Sequence, residues 1–245
     1  KIAENANAGK FTWDLSGDKL LSDPDGYADM TPAQILADLF GENQKEETPS
    51  QGTVTYVPSA SKTDRFHDVS KDSWYYKAVT DLADQGLMQG LTTTVFAPDN
   101  TMSRGMIAQI LYSLNGGKET GLDNAFTDVA AGDWYADAVN WAASCGIVSG
   151  YGDGVFGAEE SMTREQMALM LYRYAEQKGY DTTARAQLNA FTDGAQTASW
   201  SADAVAWAVA NGLLSGMGDG VLAPVGTVTR AQAAVVLNQF IAHFC

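Results

Sequence analysis

The strongest constraint on this chain is that it repeats itself. "FHDVSKDSWYYKAVTDLADQGLMQG" from Phe66 returns as "FTDVAAGDWYADAVNWAASCGIVSG" from Phe126. It returns again as "FTDGAQTASWSADAVAWAVANGLLSG" from Phe191, with one residue inserted before Trp200. Each copy runs on through a loop into "MSRGMIAQILYSL", "MTREQMALMLYRY" or "VTRAQAAVVLNQF", which makes Arg104, Arg164 and Arg230 equivalent. Three copies from about residue 65 onward fill roughly three quarters of the chain. Self-similarity on this scale belongs to proteins whose units cannot bury their apolar faces alone and stack on one another.

Each unit reads as helix, loop, helix. In the first helix of the second copy, Ala138, Val139, Ala142 and Ala143 form one apolar stripe. Gly86, Gly146 and Gly212 follow the first helices where a left-handed cap favours glycine. Ser103, Thr163 and Thr229 are good N-caps for the second helices, and Met167, Met170, Leu171 and Tyr174 give one of them an apolar face. Three such hairpins can close about a pseudo-threefold axis with similar clefts between neighbours. The predicted fold is therefore mainly α, with repeats at 65–117, 118–179 and 180–245.

Residues 1–64 differ in character, with five basic and 11 acidic side chains. Thr31-Pro32-Ala33-Gln34 is a helix start, predicted to run to Phe40 and stop at Gly41. "ENQKEETPSQG" has linker composition, and "TVTYV" is a strand or simply extended. This irregular region is read as the tail of a preceding domain plus a linker.

Composition excludes several functions. The net charge of -15 speaks against nucleic acid, because phosphate neutralisation needs a surplus of Lys and Arg. No apolar stretch is long enough to span a bilayer. Lys1–Gly9 lacks the charged-then-apolar start of a secretory signal, so such a signal was removed or the chain is not exported. Cys145 and Cys245 are too few for a disulfide framework or a CxxC metal site.

Catalysis finds little support. His67 stands where the other copies have Thr127 and Thr192, and His243 sits at the end of the last helix as a surface or capping residue. There is no HExxH, GxSxG, P-loop or dinucleotide glycine pattern, and no acidic pair stands out for carboxylate chemistry. "DPDGYAD" from Asp23 faintly resembles a calcium loop with the wrong oxygen spacing, and the glycine-rich segments at Asp153 and Asp219 read as turns. The expectation is a non-catalytic chain with no metal and no cofactor.

Three features repeat without an obvious structural reason. Thr163 with Gln166, and Thr229 with Gln232, complete capping boxes, which accounts for the threonine and glutamine but not for the arginine between them. A cation there opposes the helix dipole, yet Arg104 persists where Met106 has abolished half the box. A guanidinium beside free N-terminal amides is an anion site, and this reading favours function over capping. Asp68, Asp128 and Asp193 form turns or caps, or else accept hydroxyls from a ligand. Trp74, Trp134 and Trp200 are core, or else platforms for a sugar ring, whereas Trp141 and Trp207 read as packing residues.

In order and three times over, the F-x-D start, the W-(Y)-x-x-A-V helix, the G-(I/L)-(V/L)-x-G turn and the T-R-x-x helix start resemble the S-layer homology family, which usually carries three tandem copies. The resemblance covers about residues 65–245. It implies a pseudo-threefold prism around a central three-helix bundle, anchoring an exported bacterial protein non-covalently at the cell wall or S-layer. The implied partner is a secondary cell wall polymer or peptidoglycan-linked glycan, often with a pyruvylated amino sugar, held in grooves between repeats. Carried over by position, the groove residues are Asp68, Trp74, Gly90 and Arg104; Asp128, Trp134, Gly150 and Arg164; and Asp193, Trp200, Gly216 and Arg230.

The chain departs from the family pattern at the motif's glutamate, which is Met106, Gln166 or Gln232 here, and at "FGA" from Phe156, where the other copies keep a proline. Two working grooves are expected, with the one using Arg104 weakest. A structural module that associates with itself or other surface proteins is the alternative. Screening beyond about 8 Å lets the local arginine field, not net charge, decide binding of an anionic polymer.

Overall fold

The computed structural model describes residues 13–14, 19–20 and 65–245. The helix expected from Thr31, the "TVTYV" stretch, the linker and the loop at Asp23 lie outside the described residues. Trp13–Asp14 (β1) and Lys19–Leu20 (β2) form a short antiparallel ladder with Trp13 opposite Leu20. The described residues otherwise contain α-helices in pairs, two per repeat. They are α1 Tyr76–Asp84, α2 Arg104–Leu114, α3 Ala136–Ser144, α4 Arg164–Lys178, α5 Ala202–Ala210 and α6 Arg230–Phe244. No helix among them is long and apolar enough to cross a membrane.

The helix ends follow local chemistry. Gly86, Gly146 and Gly212 have φ of 72°, 71° and 69°, the left-handed turn that ends each first helix. Ser103, Thr163 and Thr229 each accept a hydrogen bond from the third helical amide. The reciprocal bond of a capping box is made by Gln166 and Gln232, and Met106 has no such group.

The chain divides into two compact units. One holds residues 1–67 and 90–96; within it the Phe66 and Phe96 rings meet at 5.5 Å and His67 N donates to Thr94 O at 3.0 Å. The other holds residues 68–89 and 97–245, and its repeats close on one another. Met102 N donates to Val228 O, Val228 N to Met162 O, and Met162 N to Met102 O, all at 2.8–2.9 Å. This cycle of three bonds, flanked by bridges joining Thr101 to Thr229, Ser103 to Ser161 and Thr163 to Thr227, ties the starts of all three second helices together. It is the pseudo-threefold arrangement expected from the repeat.

A helix's main partner is not its own hairpin mate. α2 packs on α3, α4 on α5, and α6 returns to α1. Each second helix thus covers the apolar stripe of the next repeat, with the third closing on the first. Side chains at equivalent positions are matched across these interfaces. Tyr112 meets Trp141 at 5.6 Å and Tyr172 meets Trp207 at 5.5 Å, while at α6–α1 the pair is Asn238 and Asp81, joined by a hydrogen bond of 3.3 Å. Gly105 leaves room for the Tyr135 ring in one interface, and buried Glu165 accepts a hydrogen bond from Ser201 Oγ in the next. Trp141 and Trp207 are fully buried, as are Met167, Leu171 and Tyr174 of the predicted α4 face.

Candidate functional site

The repeated arginines are buried, and their guanidinium groups reach into the next repeat. Arg104 Nε donates to Phe156 O and its Nη2 to Ser149 O, both at 3.0 Å. Arg164 repeats this with Leu222 O at 2.9 Å and Ser215 O at 2.6 Å, and Arg230 Nη2 reaches Gln89 O at 2.6 Å. Burial lowers the pKa of all three; the nearby carboxylates Asp128, Asp193 and Asp68, with Tyr151 and Glu160 also at Arg104, act the other way. Arginine stays charged through such shifts.

The free-amide argument for these arginines does not survive. Arg104 N and Gly105 N donate to Glu160 O and Ala158 O, and Arg164 N and Glu165 N to Gly226 O and Pro224 O. Arg230 N and Ala231 N bond Asn100 O and Pro98 O. The carbonyls of a neighbouring loop occupy the helix start, so no anion is needed there. The sequence shows the helix but not the distant loop that caps it.

The aspartates hold the loop that the arginines grip. Asp128 accepts from Phe156 N and Gly157 N at 2.8 Å each, and Asp193 from Leu222 N and Ala223 N at 2.7 Å each. Asp68 accepts from Ala97 N at 2.7 Å. For Asp193, the amide of Leu222 is the main influence, with Ala223, its own amide and Arg164 adding to it, and the carboxyl sits below its ordinary pKa. Burial pushes Asp128 upward, but the amides of Phe156 and Gly157, its own amide and Arg104 outweigh it, so its pKa is lowered too. Each carboxylate thus has a structural role in its loop, while its two oxygens keep acceptor sites beyond these amide bonds.

Gly150 is required by close approach: a Cβ there would lie 2.3 Å from Val155 O and 3.0 Å from the Phe126 ring. Gly90 is similarly crowded by Thr92 O and Phe66, and Gly216 less so by Val221 O and Phe191.

The tryptophans just ahead of the first helices are not core: Trp74, Trp134 and Trp200 are 65%, 57% and 53% exposed. Trp200 borders a cleft of about 430 Å³ whose other walls include Arg104, Ser149, Gly150, Tyr151, Gln166 and Arg173. The Arg104 guanidinium lies 4.6 Å from the centre of the Tyr151 ring and 4.5 Å from that of Phe156. Gln166 Nε2 donates to Tyr151 Oη at 3.0 Å and steadies that ring.

This cleft draws one expected residue from each repeat, Arg104, Gly150 and Trp200, instead of four from one. It also forms at the arginine whose groove was expected to be weakest. Arg173 and Tyr151 are cleft residues that repetition did not single out. Their signal lay in the differences between copies, since repeats one and three have Ser113 and Gln239, and Leu91 and Met217, at these positions. Among the described residues, no three His, Cys, Asp or Glu side chains converge as metal ligands, His67 and His243 are exposed, and Cys145 and Cys245 are free thiols.

The architecture is a cyclic set of helical repeats with an arginine-walled, tryptophan-rimmed cleft. The S-layer homology domain matches residues 65–105, 125–168 and 190–234, more than half of the chain, and the chain belongs to that family. As such it is a surface-anchoring module. An exoglucanase XynX of Acetivibrio thermocellus is 30% identical over 224 residues, covering 90% of this chain and 20% of that protein. A cellulosome-anchoring protein of the same species is 25% identical over 159 residues, 62% of this chain and 34% of its own. A surface-layer 125 kDa protein of Lysinibacillus sphaericus is 35% identical over 124 residues, 50% and 10% respectively. The chain therefore spans about a third or less of the length of these relatives.

Proposed function

We propose that this chain anchors an exported bacterial protein to the cell wall by holding an acidic secondary wall polymer in the cleft between repeats, without catalysing a reaction. The observation that carries this reading is the exposed Trp200 beside Arg104 and Arg173 in one cleft. An indole face gives a sugar ring an apolar platform, and a guanidinium suits a carboxylate or ketal acid. The likeness to a cellulosome-anchoring protein and to a surface-layer protein supports the same placement. The long-range repulsion expected from a charge of -15 slows association, but within a Debye length of about 8 Å the cleft's own cations dominate.

Co-sedimentation with purified bacterial walls, before and after acid stripping of the secondary polymer, tests the reading. Binding that disappears on stripping is the expected result. Binding that survives stripping would point to peptidoglycan. Absence of binding to either, together with concentration-dependent self-association, would overturn the reading in favour of assembly through protein contacts.

A further inference from the structure

We infer that Arg173, not the repeated arginine, sets the charge selectivity of the Arg104 cleft. The inference rests on the glycan-binding reading above. Two of the three guanidinium nitrogens of Arg104 are committed to the carbonyls of Phe156 and Ser149, and the side chain is buried. Gln166 is equally engaged, capping α4 through Oε1 and holding Tyr151 through Nε2. Arg104 cannot turn to a ligand without releasing carbonyls of the next repeat, nor Gln166 without releasing its helix cap or Tyr151.

Arg173 is different. It projects from the third turn of α4 into the cleft wall, half-exposed, and its one hydrogen bond to protein is with Ser149 Oγ at 3.5 Å, the outer limit for such a bond. Among the described residues no carboxylate pairs with it. In a chain with twice as many acids as bases, a cation lining a cleft without a counter-charge is one kept for a ligand. The equivalent positions, Ser113 and Gln239, are uncharged. The Arg173 cleft therefore takes an acidic saccharide, its ring on Trp200 and its acid on Arg173.

The test uses the full chain and two probes: an N-acetylhexosamine methyl glycoside bearing a pyruvyl ketal acid, and the neutral methyl ester of that acid. Binding is followed by calorimetry and by tryptophan fluorescence, with Trp200→Phe identifying the cleft. The wild type is expected to prefer the acid by about tenfold, the worth of one charge-assisted hydrogen bond. Arg173→Gln should erase the preference by weakening binding of the acid about tenfold without lowering the melting midpoint, and Arg173→Lys should restore part of it. Retention of the full preference by Arg173→Gln would overturn this inference alone. Failure of the wild type to bind either probe would overturn the glycan reading, and the inference with it.

Discussion

Arg164 and Asp193 grip the same residue, Leu222, from opposite sides. Arg164 Nε donates to Leu222 O at 2.9 Å, and Leu222 N donates to Asp193 Oδ1 at 2.7 Å. Arg104 and Asp128 bracket Phe156 in the same way. An arginine from one repeat and an aspartate from the next thereby hold the loop that lies against the start of the arginine's own helix. Two of the family's repeated residue types are thus part of the clasp between repeats.

The clasp makes Arg164→Ala a stability variant. It leaves the carbonyls of Leu222 and Ser215 without their charged donor, at a cost of roughly 2–4 kcal/mol. Urea denaturation followed by circular dichroism should show a lower midpoint with unchanged helical signal in the absence of urea. An unchanged midpoint would show that the bracket does not hold the repeats together. A loss of wall binding by this variant alone cannot be assigned to a ligand contact, which is why Arg173 is the better probe.

Stability should fall in acid for a specific reason. Asp128 and Asp193 have folded pKa values below the ordinary 3.8, so each binds its proton more readily in the unfolded chain. Their contribution is complete above the unfolded value and is lost as pH falls from about 4 through the lower folded values. Asp128→Asn with Asp193→Asn should flatten the acid limb of a melting-temperature profile between pH 5 and pH 2, roughly the window in which such linkage acts. A limb of undiminished slope would assign acid unfolding to other carboxylates.

The glycine of "FGA", Gly157, has a local cause. The middle residue of this loop is left-handed in every repeat, with φ of 58° at Ala97, 71° at Gly157 and 54° at Ala223. Alanine is therefore tolerated at that backbone angle in two repeats. At Gly157 an added Cβ would lie 2.8 Å from the Tyr151 ring. Gly157→Ala should displace Tyr151 and weaken ligand binding, beyond a backbone cost of roughly 1–2 kcal/mol. Adding Tyr151→Leu, the residue type at Leu91, should recover the stability lost to the clash. Failure to recover any of it would place the whole cost in the backbone.

The three interfaces should differ in strength. Trp141→Ala or Trp207→Ala removes a fully buried indole and should cost about 3–5 kcal/mol. Asp81→Ala, at the equivalent place in the α6–α1 interface, removes an exposed ion pair with Lys77 and one hydrogen bond from Asn238, and should cost about 1 kcal/mol or less. Equal costs at all three positions, measured by chemical denaturation, would show that closure of α6 on α1 relies on Asp81 as heavily as the others rely on tryptophan.

Local signals determined much of this protein. Threonine N-caps with their glutamines, glycines at helix ends and apolar positions at helical spacing act over a few residues, so the helices and the burial of Met167, Leu171, Trp141 and Trp207 were legible in the sequence. The identity of each helix's partner was not. Periodicity reports that a face is covered but not what covers it, and the cyclic pairing of α2 with α3, α4 with α5 and α6 with α1 depends on contacts between distant segments. The same limit governs the candidate site. Repetition marked Arg104, Gly150 and Trp200, but only tertiary structure brought one from each repeat to a common cleft. It also filled the amides beside Arg104 with carbonyls from residues 158 and 160, and left Arg173 as a cation with no carboxylate partner among the described residues. A side chain's role follows from which groups have already satisfied its neighbours, and that is settled by the closure of the repeats.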